Sequence, residues 1–292
     1  MHGLLHRHPL HDRQHGFTLV ETIMVIVIIG ILGAIVAVFI RAPIQGYADT
    51  VARAEALDEA DLALRRMARD IRLALPNSVR VNAAGSAIEF LLTRTGGRYL
   101  SVEDEVAGGD ALSFTDQADL TFSVVGELAG RIDPGDFVAV FNLGLPGADA
   151  YEAGRPTLAR VEAGAAAGAR APVIRLASNP FARQAMPGMS PDQRFQVVTG
   201  PVSYQCEAAP GGGFMLRRYS NYEIAPAMPQ PPVGGRVAMM AARVDNCNGI
   251  FRSENLEARR AALVLLTLAL RTRNVAAPAV RLVHQVQVDN TQ

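Results

Sequence analysis

Gly16-Phe17-Thr18-Leu19-Val20-Glu21, running into an uninterrupted apolar stretch that ends at Ile40, is the part of this chain whose reading decides the fold. Phe17 to Ile40 is 24 residues with a single ionisable side chain, Glu21. As a helix rising about 1.5 Å per residue it spans roughly 36 Å, enough to cross a hydrocarbon core of about 30 Å. Glu21 is out of place there. A carboxylate inside such a segment costs on the order of 3 kcal/mol at the bilayer centre and less near the interface, so a partner is expected to offset it. No small-x-small pattern closes the apolar run, and the polar residues ahead of it end in Gly16 directly against Phe17; this is not an ordinary secretory signal cleaved after Ile40. Arg7 and Arg13 precede the segment and Arg41 follows it. The positive-inside tendency keeps the N-terminal side cytoplasmic and puts the bulk of the chain outside the inner membrane. The plain alternative is a signal-anchor with an interfacial glutamate.

The 292 residues leave room on this anchor for one globular domain, of up to about 200 residues, large enough to bury a core. Formal net charge is zero, and the basic side chains, all of them arginines, are spread among an equal number of Asp and Glu. Without a basic stripe, nucleic acid is excluded as a partner. Five of the six histidines (His2, His6, His8, His11 and His15) precede Gly16, and only His284 follows it. Their irregular spacing in a short tract reads as leader sequence rather than a metal tract. Cys206 and Cys247 have no His or Cys neighbours at metal-ligand spacing. On the exported side of the membrane they read as one disulfide. It would close a loop of about 42 residues, worth roughly 4 kcal/mol in the chain-entropy model.

Beyond Ile40 the helix is expected to continue, with a kink or loosening at Pro43. Leu57, Ala60, Leu64, Met67, Ile71 and Leu75 recur at spacings of three or four, while Arg65, Arg66, Arg69 and Arg72 mark the other side. The pattern predicts an amphipathic helix over 41–76, ended by Pro76-Asn77. Asp61 with Arg65, and Arg66 with Asp70, stand four apart and can pair. The arginine row reads as a solvated face, a lipid-headgroup or partner contact being the alternative.

From residue 77 onward the sequence reads as β. Ala87–Thr93 and Arg98–Val102 flank Gly96-Gly97 as a hairpin, with Ile88 and Phe90 alternating against Glu89. Further short strands are expected at 111–114, 120–124, 137–141, 173–176 and 195–198, separated by turn chemistry at Asp133-Pro134-Gly135, Leu145-Pro146-Gly147 and Asn179-Pro180. The tracts 162–170 and 225–235 read as surface loops. Val202–Cys206 and Phe214–Tyr219 form a second hairpin around Gly211-Gly212-Gly213, and the apolar runs 263–270 and 280–288 close the sheet.

No catalytic constellation emerges. There is no lysine, no phosphate loop and no Gly-x-Ser-x-Gly (Pro187-Gly188-Met189-Ser190-Pro191 only approaches it), and the cysteines are better used as a bridge. Asp104-Glu105, and Asp133 with Asp136, are loop carboxylates that nothing singles out as acid and base. His284 lies in a strand-like run and reads as structural. Asp245-Asn246-Cys247-Asn248-Gly249 has some likeness to a calcium loop. Cys247 stands where an oxygen ligand belongs, however, and Glu254 and Glu257 are too near to close the loop. No metal and no cofactor are expected.

Gly16-Phe17-Thr18-Leu19-Val20-Glu21 with its apolar helix resembles the class III signal of type IV prepilins and type II secretion pseudopilins. The resemblance implies cleavage between Gly16 and Phe17 by the membrane prepilin peptidase on the cytoplasmic face, and N-methylation of Phe17. Glu21 would then meet the N-terminal amine of a neighbouring subunit during assembly, a pair that leaves no carboxylate buried alone. It implies an α+β, type IV pilin-like fold in four parts. These are a leader, 1–16; a transmembrane and assembly helix, 17–40; an amphipathic stem, 41–76; and a β-rich periplasmic or extracellular head, 77–292. The implied partners are the prepilin peptidase, other major and minor pilins and the inner-membrane assembly platform. A weaker resemblance runs through 197–206, Leu216-Arg217-Arg218-Tyr219, Cys247 and 284–290. It is to O-type minor pilins of mannose-sensitive haemagglutinin (MSHA) pili. J-type minor pseudopilins of type II secretion share the anchor and the large head, and a membrane-anchored enzyme or ligand-binding protein using the same signal is the reading from another class.

Overall fold

The computed structural model describes residues 16–104, 106–183, 189–254, 261–273 and 277–289. The chain divides into two compact units, Met1–Val51 and Ala52–Gln292. Helix α1 runs Leu19–Arg72. The strands are β1 Arg80–Val81, β2 Ala87–Tyr99, β3 Thr121–Val125, β4 Phe137–Ala139, β5 Leu158–Ala163, β6 Val173–Leu176, β7 Arg194–Ala208, β8 Phe214–Ser220, β9 Arg236–Val244, β10 Phe251–Glu254, β11 Ala261–Leu270 and β12 Val280–Asp289. A long apolar N-terminal helix followed by a strand-rich head is consistent with the expected α+β, pilin-like layout.

In the first unit, the described side chains of the apolar run all face solvent, as a sequence without a polar stripe requires when no protein layer covers it. In the second unit α1 carries a buried stripe of Ala56, Ala60, Ala63, Leu64, Met67, Ala68 and Ile71. The four alanines let the helix backbone approach a sheet closely. Leu64, Met67 and Ile71 fill the gap against Ile88, Phe90, Val202, Tyr204, Leu216 and Val264, each fully buried side chain contributing about 1.5–3 kcal/mol.

The sheet is antiparallel throughout. Its spine is the long β2–β7 ladder, from Ala87 opposite Gln205 to Arg98 opposite Arg194. Each of the two strands carries an extra residue midway, Arg94 on β2 and Thr199 on β7, where the register shifts. Such bulges sharpen twist and bend, and here they divide the ladder between two layers. One end joins β8, β9, β11, β12 and β10 in the sheet that covers α1. The other end belongs to a closed ring of six strands, β2-β3-β6-β5-β4-β7 and back to β2. That small barrel is filled by its own core, including Phe122, Val138, Val161, Ile174, Phe181, Phe195 and Val197.

Several expectations give way to this arrangement. Gly96-Gly97 does not turn a hairpin: β2 is one strand passing straight through, because a side chain at Gly96 would meet the Phe195 carbonyl at 2.8 Å and one at Gly97 the Phe195 ring at 2.9 Å. The glycines admit the neighbouring strand and an aromatic ring instead. Residues 111–114 form no strand, although Leu112 is buried in the barrel with its amide bonded to the Leu100 carbonyl at 2.9 Å. The 137–141 strand stops at Ala139, and Phe141 takes a left-handed φ of 50°. Leu57 is 40 % exposed, and Ala56 holds the inward position. The helix runs on through Pro43 and ends at Arg72, short of Pro76, since the Leu73 and Ala74 amides tighten onto carbonyls three residues back. Leu75 leaves the helix layer and packs with Leu91 and Tyr151. The hairpin at Gly211-Gly212-Gly213 and the β11–β12 pair form as expected. β5 takes in part of the expected loop 162–170, and β9 and β10 are unforeseen.

Candidate functional site

The apolar helix has a defined start. Gly16, Phe17 and Thr18 lie outside the helix, and α1 begins at Leu19. Thr18 is its N-cap: the Glu21 amide donates to Thr18 Oγ1 at 3.3 Å, and the Thr22 amide donates to the Thr18 carbonyl at 3.1 Å. Thr18-x-x-Glu21 is the spacing of a capping box, a signal that is present in the sequence but passed over when Glu21 is weighed only against the membrane. It places Glu21 in the first turn, where unpaired amides and the helix dipole favour a carboxylate.

The Gly16–Phe17 peptide is therefore non-helical and immediately ahead of a capped helix. Phe17 is 80 % exposed, and a Cβ added to Gly16 would meet nothing within 4 Å. None of the described residues obstructs a protease or methyltransferase there. Glu21 is exposed as well, and among the described residues no cation pairs with it. The leader histidines and Arg7 and Arg13 lie outside the described residues.

The head places the other candidates in structural roles. Cys206 and Cys247 are joined, pinning the turn after β9 to the end of β7, with the Cys206 amide on the Ser86 carbonyl at 2.9 Å. Asp245 in that turn accepts from Arg271 Nε at 2.6 Å, and no cluster of metal-ligating side chains occurs among the described residues. Asp133 and Asp136 both hold Arg94, the bulged residue of β2, Asp136 at 3.1 Å. Asp104 accepts the Ser101 amide at 2.8 Å and pairs with Arg98; Glu105, Pro187-Gly188, Glu257 and Asn290 lie outside the described residues. His284 sits in β12 opposite Leu266 with its Nε2 buried and unpartnered among the described residues. Asp61 pairs with Arg65 at 2.7 Å. Asp70 does not pair with Arg66; it accepts from Tyr204 Oη at 2.7 Å and Arg218 Nε at 2.8 Å, tying α1 to the sheet.

One group escapes a reading of the sequence. Glu89, on the expected polar side of an alternating strand, is completely buried. Arg80 grips it through Nε at 3.1 Å and Nη2 at 2.5 Å, and Tyr222 Oη donates at 3.0 Å. Arg80 also stacks 3.7 Å from the Tyr151 ring centroid and donates to the Ala225 and Pro226 carbonyls. The proline-rich tract 225–235 is a surface loop as expected, mostly exposed, and it is strapped across the outer face of the sheet, with Gln205 Nε2 donating to the Pro229 carbonyl at 2.8 Å. Burial pushes the Glu89 carboxyl up from its ordinary range, and the Arg80 charge and hydrogen bond draw it partly back.

Residues 11–37 match the family model described as the prokaryotic N-terminal methylation motif. No curated protein and no solved structure matches the chain. The matched stretch contains the Gly16–Phe17 peptide, the Thr18 cap, Glu21 and most of the apolar run. It implies processing by prepilin peptidase and assembly into a pilus or secretion system, and with the exposed apolar helix it fits an inner-membrane-anchored protein. The motif, the single long apolar N-terminal helix and the strand-rich head together support a type IV pilin or pseudopilin.

Proposed function

We propose that the chain is a minor pilin of an MSHA-like type IV pilus, acting in the priming or tip complex. In this reading prepilin peptidase cuts between Gly16 and Phe17, residues 1–16 leave as the leader, and the new Phe17 amine is methylated. Residues 17–40 stay in the inner membrane with the head on the periplasmic side. Glu21 recruits the subunit by pairing with the N-terminal amine of its neighbour, and the chain catalyses nothing itself. What carries the reading is a carboxylate in the first turn of an exposed apolar helix, without a cation partner among the described residues. In a low-dielectric bundle such a group is costly alone and selective when paired. The size of the head supports a low-copy place at the end of a fibre, since so large a β-rich body disfavours close packing along a shaft.

Mass spectrometry of the mature N-terminus should find methyl-Phe17; an intact Met1, or cleavage beyond Ile40, sinks the processing step. Immunolabelling should put the head at fibre ends, and deletion of the gene should reduce piliation. Normal pili with impaired protein secretion would instead assign the chain to a J-type pseudopilin.

A further inference from the structure

We propose that the head carries a binding site for a compact organic anion, of the size and character of an acidic sugar, in a cavity of about 370 Å³ walled by Arg155, Arg160 and Arg183. The inference concerns the head alone and does not rest on the assembly role of the helix. The three arginines come from separate segments. Arg155 stands in the turn before β5 with a left-handed φ of 48°, Arg160 lies in β5 opposite Phe137 of β4, and Arg183 ends a short 3-10 turn at Pro180–Arg183.

Many guanidinium groups elsewhere in the head are neutralised by carboxylates, as for Arg80, Arg94, Arg98, Arg175, Arg218 and Arg243. Among the described residues none of the three cavity arginines has such a partner. Arg155 spends one N–H on the Ile224 carbonyl at 3.1 Å, and Arg183 spends Nε on Gln117 Oε1 at 3.0 Å. That leaves most of each fork available. Among the described residues the cavity wall contains no Asp or Glu, so three like charges line it without a carboxylate, an arrangement that an incoming anion relieves.

The remaining wall says what kind of anion. Phe137 holds the Arg155 and Arg160 guanidinium groups 5.7 Å and 6.0 Å from its ring centroid, which orients them before any ligand arrives. Leu158 and the Ser178 hydroxyl complete a surface that is partly apolar and partly hydrogen-bonding. Guanidinium forks match the paired oxygens of carboxylate and phosphate, and the volume lies at the small end of ligand sites, enough for one ring-sized body. An adjoining cavity of about 380 Å³ shares Phe137, Arg155 and Arg160 but includes Glu223, so the charged group belongs on the Arg183 side.

The test is calorimetric titration of the full chain in a polyoxyethylene detergent with glucuronate, glucose 6-phosphate, glucose and inorganic phosphate. Glucuronate, glucose 6-phosphate or both should bind saturably and more weakly as salt is raised, while glucose does not bind. Arg160→Gln and Arg183→Gln should each weaken binding by about tenfold with unchanged thermal melts, and Arg252→Gln, on β10, should leave it intact. Absence of saturable binding by any of the anions, or wild-type affinity in both cavity variants, overturns the proposal. So does inorganic phosphate binding as tightly as the sugar acids, because simple charge attraction would then suffice.

Discussion

Replacing Arg80 by alanine leaves the Glu89 carboxylate, which is fully buried in β2, without its cation. Tyr222 still donates one hydrogen bond to Oε2, but both hydrogen bonds from Arg80 to Oε1 are gone, and so is the grip on the Ala225 and Pro226 carbonyls. Breaking a buried ion pair from one side costs about 3–5 kcal/mol. In a domain of this size each kcal/mol moves the melting temperature by about 2–4 °C, so the variant should melt roughly 6–20 °C below the parent. The pH dependence separates this cause from simple loss of packing. Glu89 has a folded-state pKa raised above its unfolded value of 4.5. The stability such a group contributes is full below 4.5 and is lost as pH rises through the folded-state value. Without Arg80 the folded-state value climbs further, so the penalty should be small near pH 4.5 and grow as the pH is raised above it. Adding Glu89→Gln to Arg80→Ala removes the stranded charge and should restore much of the melting temperature and flatten its pH dependence. Circular dichroism melts of the full chain in neutral detergent read all of this. A loss within about 2 °C at the higher pH, or an equal loss at both, would falsify the account of Glu89 as a buried charge held by Arg80.

Other perturbations probe the remaining layers. Glu21→Ala should still be cleaved before Phe17 yet enter fibres poorly; incorporation at the parent level in immunoblots of sheared pili removes the proposed role of the carboxylate. Cys247→Ser should cost about 4 kcal/mol, the chain-entropy worth of the closed loop, seen as a lower melting temperature, while free thiols in the exported parent protein would contradict the bridge. Gly97→Val puts branched carbons against the Phe195 ring, which even a bare Cβ at this position would approach to 2.9 Å. It should destabilise the barrel by about 1–3 kcal/mol in denaturant unfolding, and a neutral result would mean that β2 and β7 separate easily there. Met67→Ala, at a fully buried helix position, should lose about 2–5 kcal/mol, whereas Leu57→Ala should lose far less.

The parts that the sequence discloses are those whose chemistry is local. Gly16 to Glu21 is legible because scissile peptide, cap, carboxylate and apolar helix are contiguous, and the Thr18 cap is overlooked only when Glu21 is set against the membrane alone. The α1 stripe is legible as a period, but its phase slips by one at Ala56 and Leu57. Alanine counts little in a hydrophobic pattern, yet it wins wherever backbone must approach sheet. Glu89 shows the opposite failure. Alternation along β2 correctly separates two faces and wrongly assigns one of them to water, because the layer that covers it is a proline-rich strap more than a hundred residues away, with no periodicity of its own.

The barrel is hidden for a related reason. Gly96-Gly97 is good turn chemistry when only neighbours in sequence are considered, and poor turn chemistry once Phe195 is placed against it. β5 reads Leu-Ala-Arg-Val-Glu-Ala, largely helix-forming residues, and becomes a strand only because β4 and β6 flank it with unpaired ladders. A closed ring of this kind is specified by the sum of its pairings, none of which is strong alone. The three arginines around Phe137 follow the same logic, since Arg155, Arg160 and Arg183 share nothing in sequence and meet only because β4, β5 and the 180–183 turn meet. A prepilin-type signal can therefore be read from six residues, whereas anything the head recognises must be sought in surfaces that exist only after the sheet has closed.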